Sequence, residues 1–152
     1  MRPTNDSCLA LCCCLASLLI AAGCGDGRPA RVPVSGSVEI DGQPLKYGYI
    51  SFVPDNGRPS RSKLDAGGRF KLNCFDAHDG AILGRHRITV NAGESIDKTT
   101  TRWHAPKAYA NLETSNLEQQ IEDADTNLVI SLTWNGGKPF VERHDEEAES
   151  VQ

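Results

Sequence analysis

From Val32 onward the chain alternates. Val32, Val34, Val38 and Ile40 share one parity, and Ser35, Ser37 and Glu39 take the other. Ile50 and Phe52 alternate with Tyr49, Ser51 and Val53. Phe70, Leu72 and Cys74 alternate with Arg69, Lys71 and Asn73, and His86, Ile88 and Val90 with Arg85, Arg87 and Thr89. A weaker set follows at Leu117, Gln119 and Ile121, and a strong one at Leu128, Ile130, Leu132 and Trp134. Period two is the signature of a strand with one buried face. Turn signals separate the sets: Asp41-Gly42-Gln43-Pro44, Pro54-Asp55-Asn56-Gly57 and Asp65-Ala66-Gly67-Gly68. With Leu64 opening a hairpin, the pattern predicts seven strands and no long helix. That is an all-β fold, read as a single seven-stranded antiparallel β-sandwich with Greek-key, immunoglobulin-like connections.

One stretch lacks the rhythm. Residues 92–116 show no clear period, and a loop that long in a compact domain is functional or hides an element. Trp103, His104, Pro106 and Tyr109 cluster there. Trp103 and Tyr109 are therefore a candidate binding surface, because aromatic side chains dominate contact hot spots. The competing expectation is that they fold back as a lid over an open edge of the sheet.

The first part of the chain has a different character. Met1 to Ser7 is short and polar, Cys8 to Ala22 is 15 residues without a charge, and Ala21-Ala22-Gly23 is small. This is the layout of a secretory signal peptide, too short to read as a membrane span. Ile20-Ala21-Ala22-Gly23-Cys24 resembles the bacterial lipobox, with Ala21 where leucine is usual. The resemblance implies acylation of Cys24 by several chains, palmitate among them, and a lipid-anchored protein of the cell envelope on the periplasmic or outer face of a membrane. More than one chain is what stable anchoring requires. The expected divisions are 1–23 signal peptide, 24–31 polar tether, 32–134 β-domain and 135–152 acidic, disordered tail.

Of six cysteines, Cys8, Cys12, Cys13 and Cys14 fall in the segment expected to be removed and Cys24 carries lipid. Cys74 stands alone, which leaves no internal disulfide and no cysteine metal cluster. The formal net charge of -4 is matched by the end of the chain, where Glu142, Asp145, Glu146, Glu147 and Glu149 face one arginine, Arg143. The rest is balanced, so no basic face is expected and none speaks for nucleic acid.

Candidate chemistry is thin. Asp76, His78 and Asp79, with His86 or His104, offer mixed carboxylate and imidazole ligands, but their spacing matches no metal motif. No metal and no cofactor is expected. His86 has inward parity and reads as a half-buried, hydrogen-bonded core residue. Cys74, in phase with the core, reads as a small hydrophobe.

"VSGSVEIDGQPLKYGYISFVP" resembles the opening of the carboxypeptidase regulatory-like, transthyretin-like β-sandwich, at Val34, Gly36, Val38, Asp41, Gly42, Pro44 and Leu45, then Gly48, Ile50, Phe52 and Pro54. "LDAGGRFKL" resembles the next hairpin, at Asp65, Gly68, Phe70 and Leu72. "GRHRITV" resembles a later strand, at Gly84, Ile88 and Val90, with His86 where the family has an aromatic. "PKAYANLETSNL" is similar to a segment of small bacterial lipoproteins, at Pro106, Tyr109, Thr114 and Ser115. The resemblance implies a non-enzymatic accessory module that binds protein or glycan at a membrane surface. The alternative is a metal-binding or hydrolytic sandwich using His78, His86 or His104. Asp41-Gly42 and Gly67-Gly68 are expected to supply positive φ for the tight turns.

Overall fold

The computed structural model describes residues 27–144. The expected signal peptide, Cys24 and the chain from Asp145 lie outside the described residues. The fold is all-β, with one short 3₁₀ turn at Lys107–Ala110.

The strands are β1 (Arg31–Val32), β2 (Val34–Ile40), β3 (Gln43–Pro44), β4 (Tyr49–Pro54), β5 (Ser60–Lys63), β6 (Arg69–Lys71), β7 (Ala81–Ile82), β8 (Gly84–Asn91), β9 (Gly93–Ser95), β10 (Thr100–Trp103), β11 (Leu117–Ile121), β12 (Asp125–Leu132) and β13 (Phe140–Arg143). One four-stranded sheet runs β11-β8-β4-β5 and another β12-β2-β3, with β6 also on β2. β9, β10 and β13 form a third, and β1 pairs with β7. The inward parities meet in one core. Val34, Val38 and Ile40 of β2 and Ile130 and Leu132 of β12 share a buried cluster with Ile50, Phe52, Phe70, Leu72, Ile88 and Val90.

Four expectations are corrected. The sheets are not wholly antiparallel, because β12 runs parallel to β2, with Ile130 opposite Val38. Alternation fixes which face a strand buries but not its direction, so this pairing leaves no mark on the pattern. There are more than seven strands: β1, β3, β7, β9, β10 and β13 are too short to show a period. Phe140–Arg143 does not belong to a disordered tail, since it pairs with β10. And Gly67 needs no positive φ, which falls on Asp41, Gly42 and Gly68. The carboxylate of Asp65 closes that turn instead, accepting from the N–H groups of Gly67 and Arg69, both at 2.8 Å.

Gly36 is where β2 and β12 come closest. A Cβ there would lie 1.8 Å from the Leu128 carbonyl oxygen, beside an irregularity in the ladder between Asp125 and Leu128. Only glycine allows that approach.

Candidate functional site

The three candidate histidines fall in three separate places. His86 lies under the β11-β8-β4-β5 sheet and is 0% exposed rather than half-buried. Its ring packs 6.0 Å from that of Phe52. Its Nε2–H donates to the Ile82 carbonyl at 2.7 Å, which leaves Nδ1 bare and without a protein partner. A buried ring sealed in this way fills a core position.

His104 follows β10. Its Nε2 donates to Glu94 Oε2 at 2.8 Å, Arg102 reaches the same carboxylate at 3.5 Å, and Tyr47 lies 5.2 Å from the ring. The hydrogen bond from His104 holds the Glu94 carboxyl below its ordinary range, against the opposing pull of burial. This is a strand-pairing contact: Glu94 stands opposite Arg102 in the β9–β10 ladder.

His78 sits in the turn after β6, with φ of 61°, and its backbone N–H donates to Asn73. The turn is organised by Asp79, whose carboxylate accepts from the N–H groups of Cys74 (2.7 Å), Phe75 (3.0 Å) and Asp76 (3.1 Å) and from Arg31 Nε (2.7 Å). Burial pushes the Asp79 carboxyl up, but the hydrogen bonds from Cys74, Asp76, Phe75 and Arg31 together outweigh it, and the net shift is down. Asp79 is thus committed to backbone and to Arg31. The sequence offered it only as a ligand candidate, because a chain of letters does not show which carboxylate turns inward. Cys74 is a free, buried thiol. Among the described residues no group of three or more His, Cys, Asp or Glu is placed to hold a metal ion.

The aperiodic stretch 92–116 contains β9, β10 and the 3₁₀ turn. Trp103 is half-buried. Its indole N–H donates to Glu142 at 3.0 Å, its ring stacks on Phe140 at 6.5 Å, and Gly93 leaves room for it, since a Cβ there would lie 3.2 Å from the ring. Lys107 bonds both Glu142 oxygens, at 2.8 and 2.9 Å, and stands 5.5 Å from the indole centroid. The bonds from Lys107, then Trp103, hold the Glu142 carboxyl low. Tyr109 packs against the core, and its hydroxyl accepts from the Thr133 N–H at 3.2 Å. Trp103 and Tyr109 have different partners, Phe140, Glu142 and Lys107 for the first and Thr133 for the second. Phe140 and Glu142, Trp103's partners, were placed by the sequence reading in the tail. The apolar pair Phe140-Val141 was the signal available there.

An open groove of about 840 Å³ runs across the β12-β2-β6 surface. Ser35, Ser37, Asn73, Thr126 and Asn127 line it, with His78 at its rim and cations from Lys63, Arg69 and Lys71. Hydroxyls and amides of this kind suit a hydroxyl-rich ligand.

Comparison with known proteins matches no family model, no curated protein and no solved structure.

Proposed function

We propose that the chain is a non-enzymatic lipoprotein of the cell envelope, tied to a membrane by acyl chains on Cys24. Its body is a transthyretin-like β-sandwich of the carboxypeptidase regulatory-like type, and it works as an accessory module that binds protein or glycan. The observation that carries this reading is how early the tether joins the fold. Arg31 and Val32 pair with Ile82 and Ala81, and Arg31 is bonded to Asp79. Six residues lie between Cys24 and Arg31, a reach of at most about 25 Å over the seven Cα steps. A leash that short makes sense where a domain is held against a surface.

Three further features support the reading. The buried cluster draws on both four-stranded sheets, as a sandwich core does. The three candidate histidines serve three different local contacts, where a catalytic centre needs groups that converge. The polar groove offers a surface for a glycan strand.

Fractionation tests the proposal. The wild-type protein is expected in the membrane fraction, and Cys24→Ser is expected in the soluble fraction or as unprocessed precursor. Wild-type protein that is wholly soluble and correctly folded would refute it.

A further inference from the structure

The ladder of the β11-β8-β4-β5 sheet sorts charge. On its inward face stand Ile50, Phe52, His86, Ile88, Val90, Ser60 and Ser62, all buried. On its outward face the register sets Tyr49 beside Lys63 and Asn91, and Ser51 beside Arg61 and Thr89. Val53 stands beside Arg87, Arg87 beside Glu118, and Arg85 beside Gln120. The cations Arg61, Lys63, Arg85 and Arg87 therefore share the outward face of these four strands with one carboxylate of the same strands, Glu118. Glu118 is bound by Arg85 at 2.6 Å, and Asp55 lies near Arg85 at the rim. Tyr49, 53% exposed, and Val53 add apolar area. This concentration sits on a chain whose net charge is -4.

We propose that this face docks on the anionic phospholipid headgroups of the membrane that anchors the chain. The proposal rests on the lipid-anchor reading above. The face presents cations at two-residue steps along its strands, an array that meets a layer of phosphates without needing a cleft. A glycan strand is better served by the groove on the other sheet. Tyrosine, with an apolar ring and a polar tip, suits the headgroup layer. The tether also reaches this sheet at one end, where the Leu83 N–H donates to the Ala30 carbonyl and Leu83 itself is exposed. A leash attached there lets the sheet lie down on the bilayer.

The test uses the full chain carrying Cys24→Ser, sedimented with vesicles of phosphatidylcholine alone or mixed with phosphatidylglycerol. Any contribution of the apolar leader is common to both compositions, so the difference between them is the readout. Binding to the anionic vesicles is expected to be at least about tenfold tighter and to lose that advantage in high salt. Arg61→Glu with Arg87→Glu should abolish the difference. Lys46→Glu with Lys98→Glu, the same change of net charge outside the four strands of this sheet, should leave most of it. If the reversed variant does not fold, Arg61→Gln with Arg87→Gln serves in its place and should weaken the preference. Equal binding to both compositions, or an unchanged preference in the face variants, would overturn the proposal. So would capture by an acidic polysaccharide without preference for anionic vesicles. A missing acyl group on the wild-type N-terminal peptide would instead count against the anchor and leave the vesicle difference standing.

Discussion

At the scale of the residue, Asp79 shows how one carboxylate shapes a loop. It satisfies three backbone N–H groups that would otherwise face into the fold without partners, and it ties β1 to the turn through Arg31. Asp79→Asn keeps one acceptor oxygen but turns an NH₂ toward donors, and is expected to cost about 1–3 kcal/mol in urea unfolding. The acid limb follows from the same bonds. The folded-state pKa is lowered, so the stabilisation is complete above the unfolded aspartate value near about 4 and is lost as pH falls below it toward the folded value. Wild-type protein should lose stability in that window more steeply than Asp79→Asn. Parallel curves would mean the carboxylate is not held as described. His86 gives a second outcome. His86→Ala should cost about 2–4 kcal/mol by opening a core cavity, while zinc should leave the wild-type melting temperature unchanged. A zinc-dependent rise that vanishes in His86→Ala would revive the metal-site alternative. Both side chains were visible in the sequence as titratable groups, yet their roles were not. Inward parity marked His86 correctly, whereas nothing in "FDAHDG" says that the last carboxylate folds back on the N–H groups of Cys74, Phe75 and Asp76.

At the scale of the element, legibility tracks how one-sided each strand's burial is. β2, β4, β8 and β12 carry their core residues on alternate positions and were readable. β9, β10 and β13 form a sheet in which most residues are half-buried or exposed on both sides, so no alternation marks them. The lid expectation for Trp103 is met only halfway, because the ring is covered by Phe140 from β13 and remains half-buried. Trp103→Ala is expected to cost about 1–3 kcal/mol, less than for a fully buried aromatic and more than for a surface change. Ending the chain at Trp134 removes Phe140 and Glu142 together and bares the edge of β10. It should destabilise the protein and shift tryptophan emission to the red; unchanged emission and stability would show that β13 does not cover Trp103. Gly36→Ala tests the parallel pair. With the Leu128 carbonyl in the path of a Cβ, the β2–β12 ladder must shift, and hydrogen-exchange protection should fall in β12 before it falls in β8.

At the scale of the whole molecule, the proposed leash at Cys24 would hold a cationic sheet face and a polar groove close to a membrane. A count of charges along the chain suggests balance without a basic face. The strand register overturns that impression, since Arg61 and Lys63 are some two dozen positions from Arg85 and Arg87 in sequence yet share one surface. The leash is the part on which the functional reading depends, and it was legible only as a motif ending at Cys24. The direct measurement is the mass of the N-terminal peptide of the wild-type protein, isolated from the membranes of a bacterial host. The account predicts a peptide that begins at Cys24 and carries acyl chains. A peptide that begins elsewhere, or a Cys24 of unmodified mass, would contradict it.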